Sequence, residues 1–231
     1  MGNHLRDEVN IALDHTKRWA MRKTIDPEPN TKVIRAYSHI QTIRFFELNQ
    51  YNLDCLFYTP SRNELAGIAE AANACKTLIY LDMSQLNLND ELFTFFIHRL
   101  RPEKISINRL SLRCNDLSDE SMIRLCEFIS LNKTISSIDL SHNRISDEGF
   151  NELGKLITSK DTILDSIDLV ENRQTEIGNR ELLRGMFFNE TITHLTFDTK
   201  NRSDIAYRNM FIGKNKCIKS AKERRMVHWK S

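Results

Sequence analysis

The sequence predicts an α/β solenoid: a parallel sheet lines the inner side of an arc, helices form its outer side, and helical caps close its ends. Two observations support this prediction. One spacing of apolar residues recurs six times at nearly equal steps, and within each unit a strand-like alternation gives way to a helical period. Composition agrees, because 40% hydrophobic and 28% charged residues are typical of a folded chain.

The repeated spacing reads apolar, x, x, apolar, x, apolar, x, x, usually Asn, x, apolar. The starts of the six segments lie 35, 29, 28, 29 and 28 residues apart, and the apolar positions stay in phase. Such periodicity is the signature of a repeat architecture. The segments are Ile43–Leu53, Leu78–Leu88, Ile107–Leu117, Ile135–Ile145, Leu164–Gln174 and Ile192–Lys200.

Each unit combines one strand with one helix. Polar residues flank the apolar fourth and sixth positions, as a strand with one buried face requires. An Asn then turns the chain and can bind neighbouring backbone through its amide. Next, Ser118 and Ser146 supply capping hydroxyls just before acidic residues, which suit the positive end of a helix. Because no unit buries its apolar face alone, we expect the units to stack into a curved solenoid.

The pattern resembles the leucine-rich repeat family, in its long ribonuclease-inhibitor-like subtype, from Ile43 to Lys200. The resemblance is most specific in the middle, where Asn115, Asn143 and Asn172 hold the Asn position. In the other segments Tyr51, Leu86 and Lys200 replace that Asn. The resemblance implies a leucine-rich repeat solenoid whose strands line a concave face.

We expect three parts along the chain: an N-terminal helical cap over residues 1–36, the repeats over 37–200, and a C-terminal helical cap with a basic tail over 201–231. Residues 54–60 lengthen the first step and are predicted to form a loop. No apolar run approaches the roughly 18 residues that would span a membrane. The N-terminus also lacks the apolar core of a signal peptide.

The C-terminal cap is predicted to begin at Ser203, where Asp follows a capping hydroxyl. Its apolar residues Ile205, Met210 and Phe211 are expected to be buried against the last repeat. Beyond about Gly213 we expect a frayed end.

Outward-facing positions on the concave side form the predicted binding surface. Phe45, Tyr80 and Arg109 share one row of aromatic and arginine side chains, the residue types that dominate interface energetics. Alternatively, the N-terminal segment folds back and covers Phe45 and Tyr80. The predicted partner-binding residues are Phe45, Glu47, Tyr80, Asp82, Arg109, Arg113, Asp139, His142, Asp168 and Glu171.

A neighbouring row of carboxylates predicts a protein partner with a basic surface, attracted at long range and less so at high salt. The alternative is ordinary solvation of a polar strand face. The row contains Glu47, Asp82, Asp139 and Asp168.

Cys114, His142 and Glu171 occupy the same position in three successive repeats. A thiol, an imidazole and a carboxylate are the groups of nucleophilic catalysis. Against that interpretation, no oxyanion donor is evident and the curved face is open. The histidines and cysteines lack metal-ligand spacing, and no Gly-rich phosphate loop occurs. We therefore predict a non-enzymatic protein without metal or cofactor.

The charge is uneven along the chain. Residues 200–231 hold 10 Lys and Arg against 2 Asp and Glu, whereas residues 1–199 hold 23 against 29. The basic tail offers a possible contact with an acidic protein surface, anionic lipid or nucleic acid, and the alternative is a solvated terminus. Its cations include Lys214, Lys216, Lys219, Lys222, Arg224 and Arg225.

Five cysteines, an odd number at no framework spacing, indicate a reducing compartment, and we expect a cytoplasmic protein. Asn132, Asn189 and Asn201 begin Asn-x-Ser/Thr triplets. The first two lie in the predicted turn from helix to strand, so we expect none of the three to carry a glycan.

The leading functional hypothesis is a non-catalytic protein-interaction module that binds through its concave face. As an alternative, Leu164–Phe197 and the basic end resemble the C-terminal domain of tropomodulins, which implies binding to actin filament ends. A second alternative is enzyme regulation, because the GTPase-activating protein for Ran uses this repeat subtype. Arg144 and Arg173 follow the Asn position and compare loosely with its arginine.

Overall fold

The computed structural model describes residues 42–44, 59–159 and 162–228 of the 231-residue chain. Strands and helices alternate throughout these residues, so the predicted α/β solenoid is confirmed. The elements are β1 (Thr42–Arg44), α1 (Arg62–Ala74), β2 (Tyr80–Asp82), α2 (Asp90–Ile97), β3 (Arg109–Ser111), α3 (Asp119–Leu131), β4 (Ser137–Asp139), α4 (Asp147–Thr158), β5 (Ser166–Asp168), α5 (Glu176–Phe188), β6 (His194–Thr196) and α6 (Arg202–His228).

All six strands form one parallel sheet in the order β1 to β6. From β2 onward the middle residue of each strand is buried, which gives the core a ladder of branched apolar side chains. Helices α1 to α5 bury apolar faces in the same core. The paired middle residues are Leu81, Leu110, Ile138, Ile167 and Leu195.

The first strand joins the sheet in a different register from the one predicted. Thr42 pairs with Tyr80 and Ile43 with Leu81, whereas the sequence pattern aligns Phe45 with Tyr80. The predicted frame of the first repeat is therefore wrong by three residues. Measured between the middle residues of β1 and β2, Ile43 and Leu81, the first step is 38 residues long, compared with 35 in the predicted frame.

The cause is an ambiguity in the sequence. Two overlapping sets of apolar residues have the same spacing here. One begins at Ile40 and continues with Ile43 and Phe45, and the other begins at Ile43, so the pattern alone does not separate the two frames. Phe45, Glu47 and the predicted N-terminal cap of residues 1–36 lie outside the described residues.

The Asn positions form a ladder beneath the turns that follow the strands. The Asn143 amide donates to the carbonyl oxygens of Leu112 and Leu140, both at 3.0 Å. Its Oδ1 accepts from the backbone N–H of Leu117 at 3.2 Å. Each side chain therefore joins its own turn to the preceding repeat, and satisfies backbone groups that would otherwise be buried unpaired. Equivalent bonds are made by Asn115 and Asn172.

Ser118 and Ser146 occupy N-cap positions, but their hydroxyls do not accept a bond from their own helices as predicted. They donate instead to Asp90 and Asp119, in the first turn of the preceding helix. The backbone N–H groups of both serines bind the same carboxylates, at 2.8 and 2.7 Å. A carboxylate accepts such bonds strongly, and this outweighs local capping. Thr175 and Asp147 extend the series by one repeat.

The C-terminal helix α6 begins at Arg202, and Phe211 is buried as predicted. Met210 is 55% exposed, which contradicts its predicted burial. The reason is helical geometry: Asp204, Phe211 and Asn215 form the buried stripe at spacings of seven and four. Met210 lies one position away from that stripe, and Ile205 is only half-buried.

The same helix continues to His228 and does not fray near Gly213. Lys214 Nζ donates to two carbonyl oxygens at the end of α5, at 2.8 and 2.9 Å, where the helix dipole favours a cation. Lys219 reaches Asp165, just before β5, at 3.2 Å. Lys222 pairs with Glu190 at 3.3 Å. Three cations of the tail, Lys214, Lys219 and Lys222, are thus in contact with the last two repeats.

Helix α6 is strongly cationic, with eight Lys and Arg against two Asp and Glu over 27 residues. Of the helices within the described ranges, none combines the length and the apolar character needed to cross a membrane.

Candidate binding face

The strand register confirms the two predicted rows from β2 onward. In each row, side chains from neighbouring strands lie side by side at about 4.8 Å. The first row contains Tyr80, Arg109, Ser137, Ser166 and His194. The second contains Asp82, Ser111, Asp139, Asp168 and Thr196.

Two exposed residues of the predicted binding set lie on and just after β3. Arg109 and Arg113 are exposed, whereas Tyr80 is half-buried beside them. The Tyr80 hydroxyl donates to Asp82 Oδ2 at 3.2 Å, which fixes the ring over its own strand. The N-terminal segment, the alternative cover for Tyr80, lies outside the described residues.

The carboxylates of the second row also support the turns that follow their strands. Asp139 Oδ1 accepts from the backbone N–H and the hydroxyl of Ser141, at 3.0 and 2.7 Å. Asp168 Oδ1 accepts from the Val170 N–H at 3.1 Å, and Asp82 makes the equivalent bond. These aspartates are half-buried and partly committed to the fold. Each therefore combines a turn-forming role with its place on the face.

A chain of polar side chains crosses three repeats beside these rows. Arg113 Nη2 lies 3.1 Å from His142 Nε2, and His142 Nδ1 lies 3.3 Å from Glu171 Oε2. The imidazole therefore lies between a cation and an anion, one at each ring nitrogen. Arg113 and Glu171 are exposed, so the chain is presented to solvent.

Positive and negative groups alternate on this face. The adjacent Cys114 thiol and the carboxylates of Asp139 and Asp168 raise the pKa of the Arg113 guanidinium. The attraction is mutual, so Arg113 offsets part of the negative potential of the acidic row. The concave surface is mixed in charge rather than uniformly acidic.

The alignment of Cys114, His142 and Glu171 has a conformational cause. Their φ angles are 55°, 56° and 58°, and Gln85 at the same position has 58°. Four successive repeats thus make one left-handed turn here without glycine. Within the described residues, no hydrogen bond joins the Cys114 thiol to the His142 ring, whose Nε2 faces Arg113. The three side chains therefore align because their repeats share one turn conformation.

The two arginines compared with a GTPase-activating arginine differ in their surroundings. Arg144 donates to both carboxylate oxygens of Asp116, at 2.8 and 2.7 Å. Both bonds come from Nη1, and this charge-assisted contact commits that end of the guanidinium to Asp116. Arg173 is exposed.

Two of the three Asn-x-Ser/Thr asparagines are buried structural residues. Asn132 donates to the Pro102 carbonyl at 2.8 Å, and Asn189 donates to the Ile157 carbonyl at 2.9 Å. Because both amides are enclosed, a glycan would not fit, which supports the expectation at these positions. Both asparagines begin the sequence Asn-x-Thr-Ile, which marks the turn from helix to strand in these two repeats.

One surface is not predicted from the sequence. Four apolar side chains, each more than half exposed, gather where α5 ends against α6, and we name them the terminal aromatic patch. The sequence does contain a sign of this surface: two consecutive phenylalanines end an amphipathic helix, and both cannot face the core. The patch consists of Phe187, Phe188, Tyr207 and Met210.

Comparison with known sequences agrees with the repeat pattern. Residues 104–126 and 131–153 match the family model described as Leucine Rich repeat. The chain is 26% identical over 160 residues to NACHT, LRR and PYD domains-containing protein 14 of Homo sapiens, which is 68% of this chain and 13% of that protein. It is 26% identical over 129 residues to protein 4E of that name from Mus musculus, at 56% and 13% coverage. The chain thus spans a small part of these relatives.

Two solved structures can be superposed on the chain over most of its length. Leiomodin-1 Actin-Binding Site 2 gives a TM-score of 0.55 at 13% identity, over 88% of this chain and all of that one. The tropomodulin C-terminal domain of Caenorhabditis elegans gives a TM-score of 0.47 at 11% identity, over 85% and 95%. The likeness to leiomodin-1 is one of fold.

Proposed function

We propose that this leucine-rich repeat solenoid is a non-catalytic module that binds a protein partner through its concave face. The observation that carries this proposal is the exposure of Arg109 and Arg113 beside half-buried Tyr80 on adjacent strands. Arginine and tyrosine are enriched among the residues that dominate binding energy. The Arg113–His142–Glu171 chain extends the same surface over two further repeats.

The partner's surface carries both signs of charge. Its basic groups lie over Asp139 and Asp168, as the acidic row suggests, and its acidic groups lie over Arg109 and Arg113. Arrangements of this kind determine specificity and association rate more than total affinity. Among the described residues, the thiols of Cys114, Cys126 and Cys217 are free, which supports a reducing, cytoplasmic setting.

The test compares capture of partners by wild-type protein and by Arg109→Glu and Tyr80→Ala variants, followed by affinity measurement with the purified partner. Arg180→Glu, an exposed change on the outer helix α5, is the matched control. We expect each concave variant to weaken binding at least about tenfold, while the control binds like wild type. Normal binding by both concave variants, with circular dichroism unchanged, would contradict the proposal.

A second candidate is binding to actin, the activity for which Leiomodin-1 Actin-Binding Site 2 is named. The observation in its favour is superposition over 88% of this chain, together with the resemblance of Leu164–Phe197 and the basic end to tropomodulins. A pointed-end elongation assay with pyrene-labelled actin tests it. Inhibition at micromolar protein supports this candidate, and unchanged elongation removes it.

A further inference from the structure

The terminal aromatic patch lies apart from the concave face, on the outer helical layer at the C-terminal end. Phe187 and Phe188 are 61% and 63% exposed at the end of α5. Tyr207 and Met210 are 53% and 55% exposed on α6. Contiguous exposed apolar side chains of this size mark interaction surfaces, whereas scattered single ones do not.

The patch spans the contact between α5 and α6, and we call this surface a groove because exposed rings flank a buried one. The Phe187 ring makes edge contacts with Phe188 at 4.9 Å and with Phe211 at 6.1 Å between centroids. Tyr207 stacks on Phe211 at 6.3 Å. Phe211 itself is buried, whereas the rings of Phe187 and Tyr207, which contact it from α5 and α6, are more than half exposed.

Cations border this groove. Arg184 precedes Phe188 by one helical turn on α5 and is exposed, and its Nη1 also pairs with Glu181 at 3.0 Å. Lys214 Nζ lies 5.8 Å from the Phe211 ring on the α6 side. The whole of α6 carries six more cationic than acidic residues. Two copies of such a helix repel each other, so this charge argues against a second copy of the chain as the occupant.

We propose that the terminal aromatic patch is a docking groove for an acidic amphipathic helix of a partner protein. The apolar stripe of that helix packs on Phe187, Phe188, Tyr207 and Met210, and its carboxylates face Arg184 and Lys214. An amphipathic helix fits a groove between two helices because its anchors recur every three or four residues. Burial of the aromatic rings supplies the affinity, and charge selects the partner.

The test uses a fluorescent helical peptide of roughly 18 residues, with Leu at every third or fourth position and Glu elsewhere. A second peptide carries Lys in place of every Glu. We expect the Glu peptide to bind the full chain at micromolar concentration, and the Lys peptide to bind at least about tenfold more weakly. Fluorescence anisotropy at two salt concentrations measures both, since screening lowers the charge contribution.

Two variants locate the binding. Phe188→Ser and Arg184→Glu are each expected to weaken binding of the Glu peptide at least about fivefold. Leu131→Ser, which removes an apolar side chain that is 68% exposed at the end of α3, is the matched control and is expected to bind normally. Circular dichroism of all three variants verifies that the fold is intact.

Four results would overturn this proposal: binding of neither peptide, equal binding of both, equal loss with Leu131→Ser, or dimerisation of the chain through the patch in light scattering. Stronger binding to anionic phosphatidylserine vesicles than to the Glu peptide would assign the surface to a membrane and also overturn it. None of these results bears on the concave face, because Arg109 and Tyr80 are unchanged in every sample.

Discussion

The backbone N–H of Ser146 donates to Asp119 Oδ1 at 2.7 Å, and the Ser146 hydroxyl donates to Oδ2 of the same carboxylate. Asp119 also accepts from the Gly149 N–H at 3.0 Å. One side chain in the first turn of α3 therefore satisfies several donors at the start of α4. Free N–H groups at a helix start need such partners, and here the preceding repeat supplies them.

Replacing Asp119 with Ala is expected to lower the free energy of unfolding by about 2–3 kcal/mol, because half-buried donors lose a charged acceptor. Urea denaturation followed by circular dichroism measures the change. Glu120→Ala removes an exposed acid from the same helical turn and is the control, with an expected change below about 0.5 kcal/mol. Equal effects of the two variants would show that the inter-repeat bonds contribute little.

The stability is expected to fall in acid. Burial alone would raise the pKa of Asp147, but bonds from Thr175 and Gly178 outweigh it and hold that pKa below 3.8. The pKa of Asp90 is likewise lowered: burial opposes the shift, and bonds from Ser118 and Ser121 cause it. The unfolded chain therefore binds more protons in this range. The stabilisation is complete above the ordinary pKa and is lost as pH falls through the lowered folded values.

Urea titrations at about pH 7, 5, 4 and 3, which bracket the ordinary carboxyl pKa of about 4, check this slope. We expect Asp147→Asn to be less stable at neutral pH and to show a flatter decline in acid. Glu148→Gln, which alters the exposed carboxylate one residue on, is expected to keep the wild-type slope. An unchanged slope in Asp147→Asn would show that other carboxylates control the acid response.

Docking of α6 is expected to depend on Asn215, whose fully buried amide donates to the Ile192 carbonyl at 2.8 Å. Asn215→Ala leaves that carbonyl without its donor and opens a cavity, at a cost of about 1–3 kcal/mol. Hydrogen exchange of α6 amides should accelerate in the variant. The exposed neighbour Lys216→Ala serves as the control, and exchange that is equally fast in both variants would argue against this anchor.

Cysteine reactivity should follow burial. Burial, with smaller contributions from Glu152 and Glu127, raises the pKa of the Cys126 thiol to about 12. Because the thiolate is the reactive form, Cys126 should resist iodoacetamide at pH values near 8. Cys217 is exposed on α6 and should be alkylated quickly. Mass spectrometry of labelled peptides with and without urea measures both, and equal labelling without urea would contradict the packing of α3.

The central repeats could be predicted from sequence because burial and turn chemistry agree there. Leu110, Ile138 and Ile167 keep the strand period, and Asn143 marks a turn in both the sequence pattern and the structure. The sequence does not determine the frame of the first repeat, because two apolar sets three residues apart satisfy the same spacing and Ile43 belongs to both. Periodicity fixes the face of a strand only where a single frame is possible.

Interactions between repeats were harder to predict than those within one. Ser118 has the sequence of a helix cap, yet its hydroxyl turns to Asp90, 28 residues away. Spacing within one repeat carries no information about that choice. Similarly, the exposure of Met210 depends on the angle at which α6 meets α5, which the helical period alone does not specify. The partner-binding role of Tyr80 and Arg109 stays a prediction.

Helix α6 also has a consequence for the open end of the sheet. Among the strands that the structure describes, β6 has a neighbour on one side only, and an unpaired strand edge is a template for association with other chains. On α6, Asn215 donates to the Ile192 carbonyl just before β6, and Lys219 pairs with Asp165 just before β5. Helix α6 is therefore held at the residues that precede two successive strands. Its release would expose the edge of β6 to association with other chains.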